Sequence, residues 1–396
     1  MAIPLEQARA LVLDRAAPLP TEAVPVAEAA GRVLAEELRA RHDSPPQASS
    51  AMDGFAVIAG PAGRTLRLVG ESRAGAPSRE TVGPGTAIRI ATGGVLPAGA
   101  DAVVAVELAA VDGDSVTVHE AAAPGRNVRR AGEDIRTGQI LIAPGTSIGA
   151  VELAVAIGGG HGELVCHRRP RVALLATGDE LREPGGALAP GQIHESNAIV
   201  IAALVRSTGA AVTTVTRVGD EAAAIGRELR RAFDDRADLV VVSGGVSVGP
   251  HDHVRGALAA LGAEECFWGV AIRPGRPIWF GHRGGTLVLG LPGNPVSALV
   301  AFVLLGRPLL RDLAGAPEPA RRERARLSAP VTRRLGRTEV VRVGLRTVDG
   351  LGLEAAPGGS PGSHMTTSML GAGGLALIPP GQGELEAGSE VDVERL

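Results

Sequence analysis

The residues best equipped for chemistry lie in 240–253, which reads Val-Val-Val-Ser-Gly-Gly-Val-Ser-Val-Gly-Pro-His-Asp-His. The apolar, β-branched run 239–242 predicts a buried strand. It breaks at Gly244, Gly245 and Gly249, with hydroxyls at Ser243 and Ser247 between them. A helix is expected to restart near Asp252. A strand that ends in a Gly/Ser loop and feeds a helix exposes a row of backbone N–H groups, which suits phosphate. Asp252 adds a carboxylate that can hold a divalent metal beside such a cradle. The same residues also fit a tight turn whose glycines serve backbone geometry alone, so the neighbouring loops must decide.

Two sister loops supply the company. Thr177-Gly178-Asp179-Glu180 follows an apolar run at 172–175, and Pro292-Gly293-Asn294-Pro295 follows one at 286–289. A further run at 212–215 leads to Asp220. Helices are expected over 197–207 with Ser196 as N-cap, over 221–233 with Asp220 as N-cap, and from Pro295 with Asn294 as N-cap. Strand–helix alternation over 169–317 predicts a doubly wound, mostly parallel α/β sheet. Ligands of such sheets bind outside the carboxyl ends of the strands. All four loops follow strands, so Glu180, Asp220 and Asp252 are expected to converge on one edge.

The rest of the chain must position this edge. Residues 1–44 and 137–168 read as helical, with amphipathic patterns at 5–14 and 26–38 and an apolar helix around 149–157. They predict one helical domain into which residues 45–136 are inserted. The insertion shows short apolar runs separated by Gly and Pro, and so predicts a small β domain. Its turns carry Asp53, Thr92 and Asp134, each compatible with ordinary turn chemistry. Residues 318–396 return to β character and predict a small barrel.

Bulk properties exclude several classes. The chain has 396 residues and net charge −3, so no basic footprint argues for nucleic acid. There is no Lys, and all 40 basic residues are Arg. A P-loop, which needs its Lys, is therefore excluded. Cys166 and Cys266 make no disulfide framework, which predicts a reducing, cytoplasmic setting. Glu6, Arg9 and Asp14 interrupt any signal peptide, and 292–295 splits the one long uncharged run, so no membrane span is expected.

Six motifs in register resemble the molybdopterin molybdenumtransferase family, which includes MoeA and the E domain of gephyrin. They are 50–56 (Ser-Ala-Met-Asp-Gly-Phe-Ala), 92–94 (Thr-Gly-Gly), 132–135 (Gly-Glu-Asp-Ile), 177–181 (Thr-Gly-Asp-Glu-Leu), 243–249 (Ser-Gly-Gly-Val-Ser-Val-Gly) and 291–297 (Leu-Pro-Gly-Asn-Pro-Val-Ser). The resemblance implies an elongated homodimer of four domains: 1–44 plus 137–168 for dimerisation, 45–136, 169–317 and 318–396. It implies that adenylylated molybdopterin and molybdate react, with Mg²⁺ or another divalent cation, to give molybdenum cofactor and AMP. The three glycine loops named above would cradle the pterin nucleotide. Glu180, Asp220 and Asp252 would hold the cation. Asp53, Thr92 and Asp134 would close the site from the inserted domain, across the dimer. Molybdate needs fixed positive charge, and Arg273 and Arg276 flank a stiff Pro-Gly turn. By resemblance Pro277, Ser297, Arg337 and Ser368 share that pocket. A molybdopterin adenylyltransferase would be the partner that supplies the pterin.

The chain departs from the family pattern in two places. Arg273-Pro-Gly-Arg-Pro277 replaces Lys-Pro-Gly-Lys-Pro, and His194-Glu195 replaces Tyr-Asp before Ser196-Asn197. Two other readings stay open. An adenylyltransferase would use 169–317 alone and would release pyrophosphate from ATP without molybdate. A scaffold like the gephyrin E domain would need no reaction, although three intact carboxylates argue against a purely structural role.

Overall fold

The computed structural model describes residues 2–247, 249, 252–317, 322–350, 352–358 and 362–396. The chain divides into two compact units. One comprises Met1–Glu22, Gly31–Ala35 and Cys166–Leu396, and the other Ala23–Ala30 and Glu36–Val165.

Helix α1 (Leu5–Leu13) buries Leu5, Ala8 and Val12, spaced as one face of a helix. This face packs into the core of the α/β domain, among Ile201, Val270 and Phe302. The expectation that α1 belongs to a separate helical dimerisation domain is therefore corrected. The helix expected over 26–38 is absent too. Val26–Glu28 forms a single 3₁₀ turn, and Gly31 at φ +71° lies beyond it. Leu34 then bridges to Cys166, and the His167 N–H donates to Val33 O at 3.0 Å. Strand partners for Val33 and Leu34 outweigh the weak helix preference of this segment.

The second unit carries a six-stranded sheet formed by β1 (Gly54–Val57), β2 (Arg64–Ser72), β3 (Thr86–Ile90), β4 (Ala102–Ala105), β5 (Ala109–Asp112) and β6 (Ser115–Val118). Their order is β4-β1-β3-β2-β6-β5. Phe55, Val57, Val104, Val116 and Val118 form its core. Helix α2 (Ala150–Gly158) follows, with short strands at Ile140–Ile142 and Glu163–His167 on either side where only helix was expected.

The first unit is built on β7 (Arg171–Thr177), α3 (Asn197–Ser207), β8 (Ala211–Val218), α4 (Ala222–Asp234), β9 (Leu239–Ser243), α5 (Val254–Ala260), β10 (Glu264–Trp268), β11 (Trp279–Arg283) and β12 (Thr286–Leu291). Sheet order is β8-β7-β9-β12-β11-β10, with the first four strands parallel and the last two antiparallel. Successive residues of β7 serve opposite cores: Val172 and Leu174 face one, Ala173 and Leu175 the other. Helix α6 (Pro295–Ala301) runs through a π-helical turn, Phe302–Gly306, into α7 (Arg307–Leu313).

Beyond it, β13 (Glu323–Leu327), β14 (Thr338–Val348), β15 (Gly352–Pro357), β16 (Gly374–Ile378) and β17 (Glu390–Arg395) close into a barrel, because β14 pairs with both β15 and β16. Ile272–Arg273 adds in parallel to Thr338–Glu339 of β14 and ties the barrel to the α/β domain. Glu394, 6% exposed, binds Arg9 at 2.6 Å, Arg322 at 2.5 Å and Arg307 at 3.3 Å. A buried carboxylate is tolerated when cations surround it in this way.

Candidate active site

The parallel strands end level. Ser243 pairs with Leu291 on one side and with Ala176 on the other, while Thr177 pairs with Val218. The four following loops therefore open on one edge and enclose a cavity of about 400 Å³. Thr177, Gly178, Glu180, Asp220, Ser243 and Gly244 line it, as do Gly245, Ser247, Gly249, Asp252, Pro292, Gly293 and Pro295. Asp179 and Asn294 brace the wall from outside the lining.

Two glycines shape the central loop. Gly244 has φ +90°, and a Cβ there would lie 2.6 Å from Thr177 O. Gly245 has φ +65°, with Val254 Cγ2 at 2.8 Å from such an atom. Only glycine fits both demands. The backbone N–H groups of Gly245, Val246 and Ser247 donate to no acceptor among the described residues, as an anion cradle requires. Trp268 Nε1 donates to Val246 O at 2.8 Å and anchors the loop from below. Val248, Pro250 and His251 lie outside the described residues.

The carboxylates reach this mouth by different routes. Asp220 was expected to cap α4, but Glu221 holds the N-cap position and no side chain caps that end. Asp220 Oδ2 instead accepts the Asp179 N–H at 3.3 Å, and Asp179 Oδ1 accepts the Asp220 N–H at 3.0 Å. Asp252 Oδ2 accepts the Gly249 N–H at 2.6 Å. The Glu180 carbonyl accepts the Ile193 N–H at 3.0 Å, while its carboxylate accepts no hydrogen bond among the described residues and lies against Gly178. No three His, Cys, Asp or Glu side chains among the described residues stand close enough to cage a metal by themselves. Thr177 is 5% exposed, and its Oγ1 is buried with no hydrogen-bond partner among the described residues.

Asn197 is the site residue that motif reading passed over. At the first turn of α3, its Nδ2 donates to Ser243 Oγ at 2.8 Å and to Gly293 O at 2.7 Å. Ser196, expected to cap α3, makes no side-chain cap. Glu195, 7% exposed, takes that role through the Ala198 N–H at 2.7 Å. The longer Glu in place of Asp thus still reaches a backbone donor. Asn294 holds the N-cap position of α6 as expected, but its side-chain oxygen accepts no N–H of that helix, and its Nδ2 donates to Ser363 Oγ at 3.1 Å.

A second cavity, of about 370 Å³, lies between the Arg273–Pro274 turn and the barrel. Arg273, Arg334, Arg342, Thr332 and Glu339 line it. Arg342 is 4% exposed, and burial pushes its guanidinium below the usual range. Glu339 faces Arg337 at 3.1 Å, Arg273 at 3.8 Å and Arg334 at 3.9 Å. The expected oxyanion set is divided by this geometry. Arg273 lines the second cavity and Pro277 the first. Ser297 is buried on α6 beneath Gly275. Arg276 is exposed. Arg337 is engaged with Glu339, and Ser368 Oγ donates to Met365 O at 2.6 Å; neither lines either cavity. Arg342 was missed, although an arginine alternating with Val340 on an inward strand face is a readable signal.

Asp53, Thr92 and Asp134 belong to the second unit. Gly54 of β1 pairs with Ile90 of β3, which brings Asp53 next to Thr92. Asp53 Oδ1 accepts the Thr92 N–H at 2.7 Å and its hydroxyl at 3.0 Å. These two donors, the N–H first, hold the Asp53 carboxyl below its ordinary range. The Asp134 side chain is exposed, and its N–H donates to Ser44 O at 3.0 Å.

A doubly wound sheet with a glycine- and hydroxyl-lined cleft, rimmed by three carboxylates and joined to an arginine-lined barrel, has the chemistry to hold a phosphate-bearing anion. Residues 3–160 match the family model described as MoeA N-terminal region (domain I and II), 173–312 the probable molybdopterin binding domain, and 324–396 the MoeA C-terminal region (domain IV). Molybdopterin molybdenumtransferase 2 of Mycobacterium tuberculosis is 40% identical over 387 residues, 93% of this chain and 94% of that protein. Molybdopterin molybdenumtransferase of Haemophilus influenzae is 35% identical over 402 residues, 98% of each. The crystal structure of the molybdopterin biosynthesis MoeA protein from Pyrococcus horikosii has a TM-score of 0.81 at 30% identity, covering 100% of this chain and 99% of that one. The chain belongs to the molybdopterin molybdenumtransferase family, and as such is a transferase.

Proposed function

We propose that this protein inserts molybdate into adenylylated molybdopterin and releases AMP. The observation that carries this reading is the pairing of a phosphate-type cradle with an arginine-lined cavity in one unit. The N–H groups of Gly245, Val246 and Ser247 and the hydroxyls of Thr177 and Ser243 face the phosphates of the pterin nucleotide. Arg273 and Arg342 supply fixed positive charge for the oxyanion, and Ser363, close to Asn294, adds a hydroxyl at the junction of the two domains. Attack by an oxyanion at a pyrophosphate link needs charge neutralisation and positioning more than a covalent nucleophile.

The donor set of Glu180, Asp220 and Asp252 fits a hard divalent cation. Mg²⁺ keeps several waters and takes one or two carboxylates plus substrate phosphates, so it needs no three-carboxylate cage. When bound, it would neutralise charge on the pyrophosphate. Asp220 and Asp252 each bond a backbone N–H through Oδ2, and Oδ1 of each accepts no hydrogen bond among the described residues, which leaves it for the cation.

We infer further that the protein works as a homodimer in the cytoplasm. Helix α2 supports the dimer: it is apolar nearly all round, yet only Ala156 is buried, and Val151 and Ile157 are 70% and 60% exposed. Such a helix calls for a cover. Asp53, Thr92 and Asp134 would then complete the site from the partner's inserted domain. No helix among the described residues is long and apolar enough to cross a membrane.

Incubation with adenylylated molybdopterin, molybdate and Mg²⁺ should yield AMP. Pyrophosphate released from ATP and molybdopterin without molybdate would identify an adenylyltransferase instead. A dimer inert in both assays would point to a scaffold.

A further inference from the structure

The hydroxyl of Ser243 stands at the end of β9, 6% exposed, on the wall of the first cavity. A serine hydroxyl has one hydrogen and two lone pairs. Asn197 Nδ2 donates to Ser243 Oγ at 2.8 Å, so on this bond the oxygen accepts. No group among the described residues accepts the Ser243 hydrogen. The remaining amide hydrogen of Asn197 goes to Gly293 O at 2.7 Å. One side chain therefore joins three segments: the start of α3, the β9 loop and the β12 loop.

We propose that Asn197 is a positioning residue for phosphate binding. By holding Ser243 Oγ as an acceptor, it turns the Ser243 hydrogen into the cavity. By holding Gly293 O, it sets the gap between the β9 and β12 loops. A buried hydroxyl whose donor is unmatched is unfavourable until an acceptor arrives, and an anionic oxygen is the strongest one available. Asn suits this task where Asp does not. Asp has no hydrogen to give, so Ser243 would donate inward to it, and its carboxylate would repel Gly293 O. The alternative, that Asn197 merely begins a helix, predicts that Asp is welcome there, because acidic side chains favour helix N-termini.

This inference rests on the reading of the first cavity as a phosphate site, so the probe is inorganic pyrophosphate. Binding can be followed by calorimetry or by tryptophan emission, since Trp268 is bonded to the cradle at Val246 O. Asn197→Ala should weaken binding by roughly tenfold or more, as should Ser243→Ala. The double variant should bind about as well as Ser243→Ala alone, within roughly threefold, because both changes remove the same aimed donor. Thr177→Val should instead add to Asn197→Ala, since the Thr177 hydroxyl makes no bond to Asn197. Asn197→Asp keeps size and a favourable helix start, so it serves if the Ala variant folds poorly. In the Asp background, removing the Ser243 hydroxyl should change binding less than about twofold. Fully additive losses for Asn197 and Ser243, or wild-type affinity in Asn197→Asp, would overturn the proposal while leaving the phosphate site intact. Failure of the wild-type protein to bind pyrophosphate would remove the phosphate reading and this inference with it.

Discussion

Asp179 and Asp220 each accept the other's backbone N–H, at 3.0 and 3.3 Å. This reciprocal lock joins the loops after β7 and β8. Each carboxylate keeps one oxygen outside the lock. Gly219 permits it, because a side chain there would strike Asp179 Oδ1. Asp220 is thus aimed at the cavity by a residue that does not line it. Asp179→Ala keeps the N–H that holds Asp220 Oδ2 but removes the acceptor for the Asp220 N–H, so it should loosen the loop after β8 and lower turnover roughly tenfold, the low end of what loss of a metal-ligand support costs. Asp179→Asn keeps an oxygen for the Asp220 N–H and should recover much of it. Wild-type AMP release by the Ala variant would count against the lock.

Asp252 Oδ2 accepts the Gly249 N–H, which leaves Oδ1 for the proposed cation. Asp252→Asn retains an acceptor for the Gly249 N–H, so the cradle should persist. It removes an anionic ligand from a hard cation. Pyrophosphate affinity without metal should stay within about threefold, while turnover falls by at least about 100-fold. Near-normal turnover in saturating Mg²⁺ would refute the metal role.

The second cavity predicts a separate phenotype. Arg273→Ala and Arg342→Met should raise the molybdate needed for half-maximal AMP release. A charged hydrogen bond contributes about 1.5–3 kcal/mol, or roughly 10- to 150-fold. Affinity for the pterin nucleotide should hardly change, because neither arginine lines the first cavity. Arg342→Met needs a thermal midpoint alongside, since the side chain is buried in the barrel wall. Molybdate titrations that match wild type in both variants would place the oxyanion elsewhere.

Gly244→Ala tests the backbone of the cradle. At φ +90°, with Thr177 O at 2.6 Å from the new Cβ, the loop must shift against a backbone oxygen that cannot rotate away. A loss of about 1–3 kcal/mol in stability is expected, with weakened pyrophosphate binding. Denaturant titration reads the first and calorimetry the second. Gly226→Ala, on α4 with open space around it, is the contrasting control and should be neutral or stabilising.

Asp53 makes a prediction about pH. Its folded-state carboxyl titrates below the ordinary 3.8 because the Thr92 N–H and hydroxyl bond the charged form. A lowered pKa contributes stability that is present above pH 3.8 and is lost as pH falls through the folded value. Thr92→Val removes the hydroxyl and leaves the N–H, so the Asp53 pKa should rise yet remain below its ordinary value. Carbon-detected NMR titration reads it directly. Asp53→Asn should flatten the acid limb of the stability curve below pH 3.8. An unchanged pKa in Thr92→Val would show that the backbone donor alone sets it.

Local order in this chain was legible because it follows local chemistry. The unbroken Val240–Val242 run, the Gly244-Gly245 pair and Asn294-Pro295 each constrain their own backbone, so the parallel strands and the edge on which the loops open could be read directly. The β-branched run at 339–343 between Gly and Pro turns likewise pointed to a barrel strand. What the tertiary structure alone decided concerns long-range partners. Residues 26–38 have a helical pattern, yet Val33 and Leu34 pair with His167 and Cys166, more than a hundred residues away. The amphipathic face of α1 says only that it needs a cover, and packing assigns that cover to the α/β core. Side-chain direction was equally out of reach: Asp220 looked like a helix cap, and only the fold shows it turned to Asp179. The sequence by itself determined which groups are present and which loops carry them. The fold decided that Asn197 meets Ser243 and that Arg273 and Arg342 line one cavity, because hydrogen bonds and cavities depend on distances that no sequence spacing encodes.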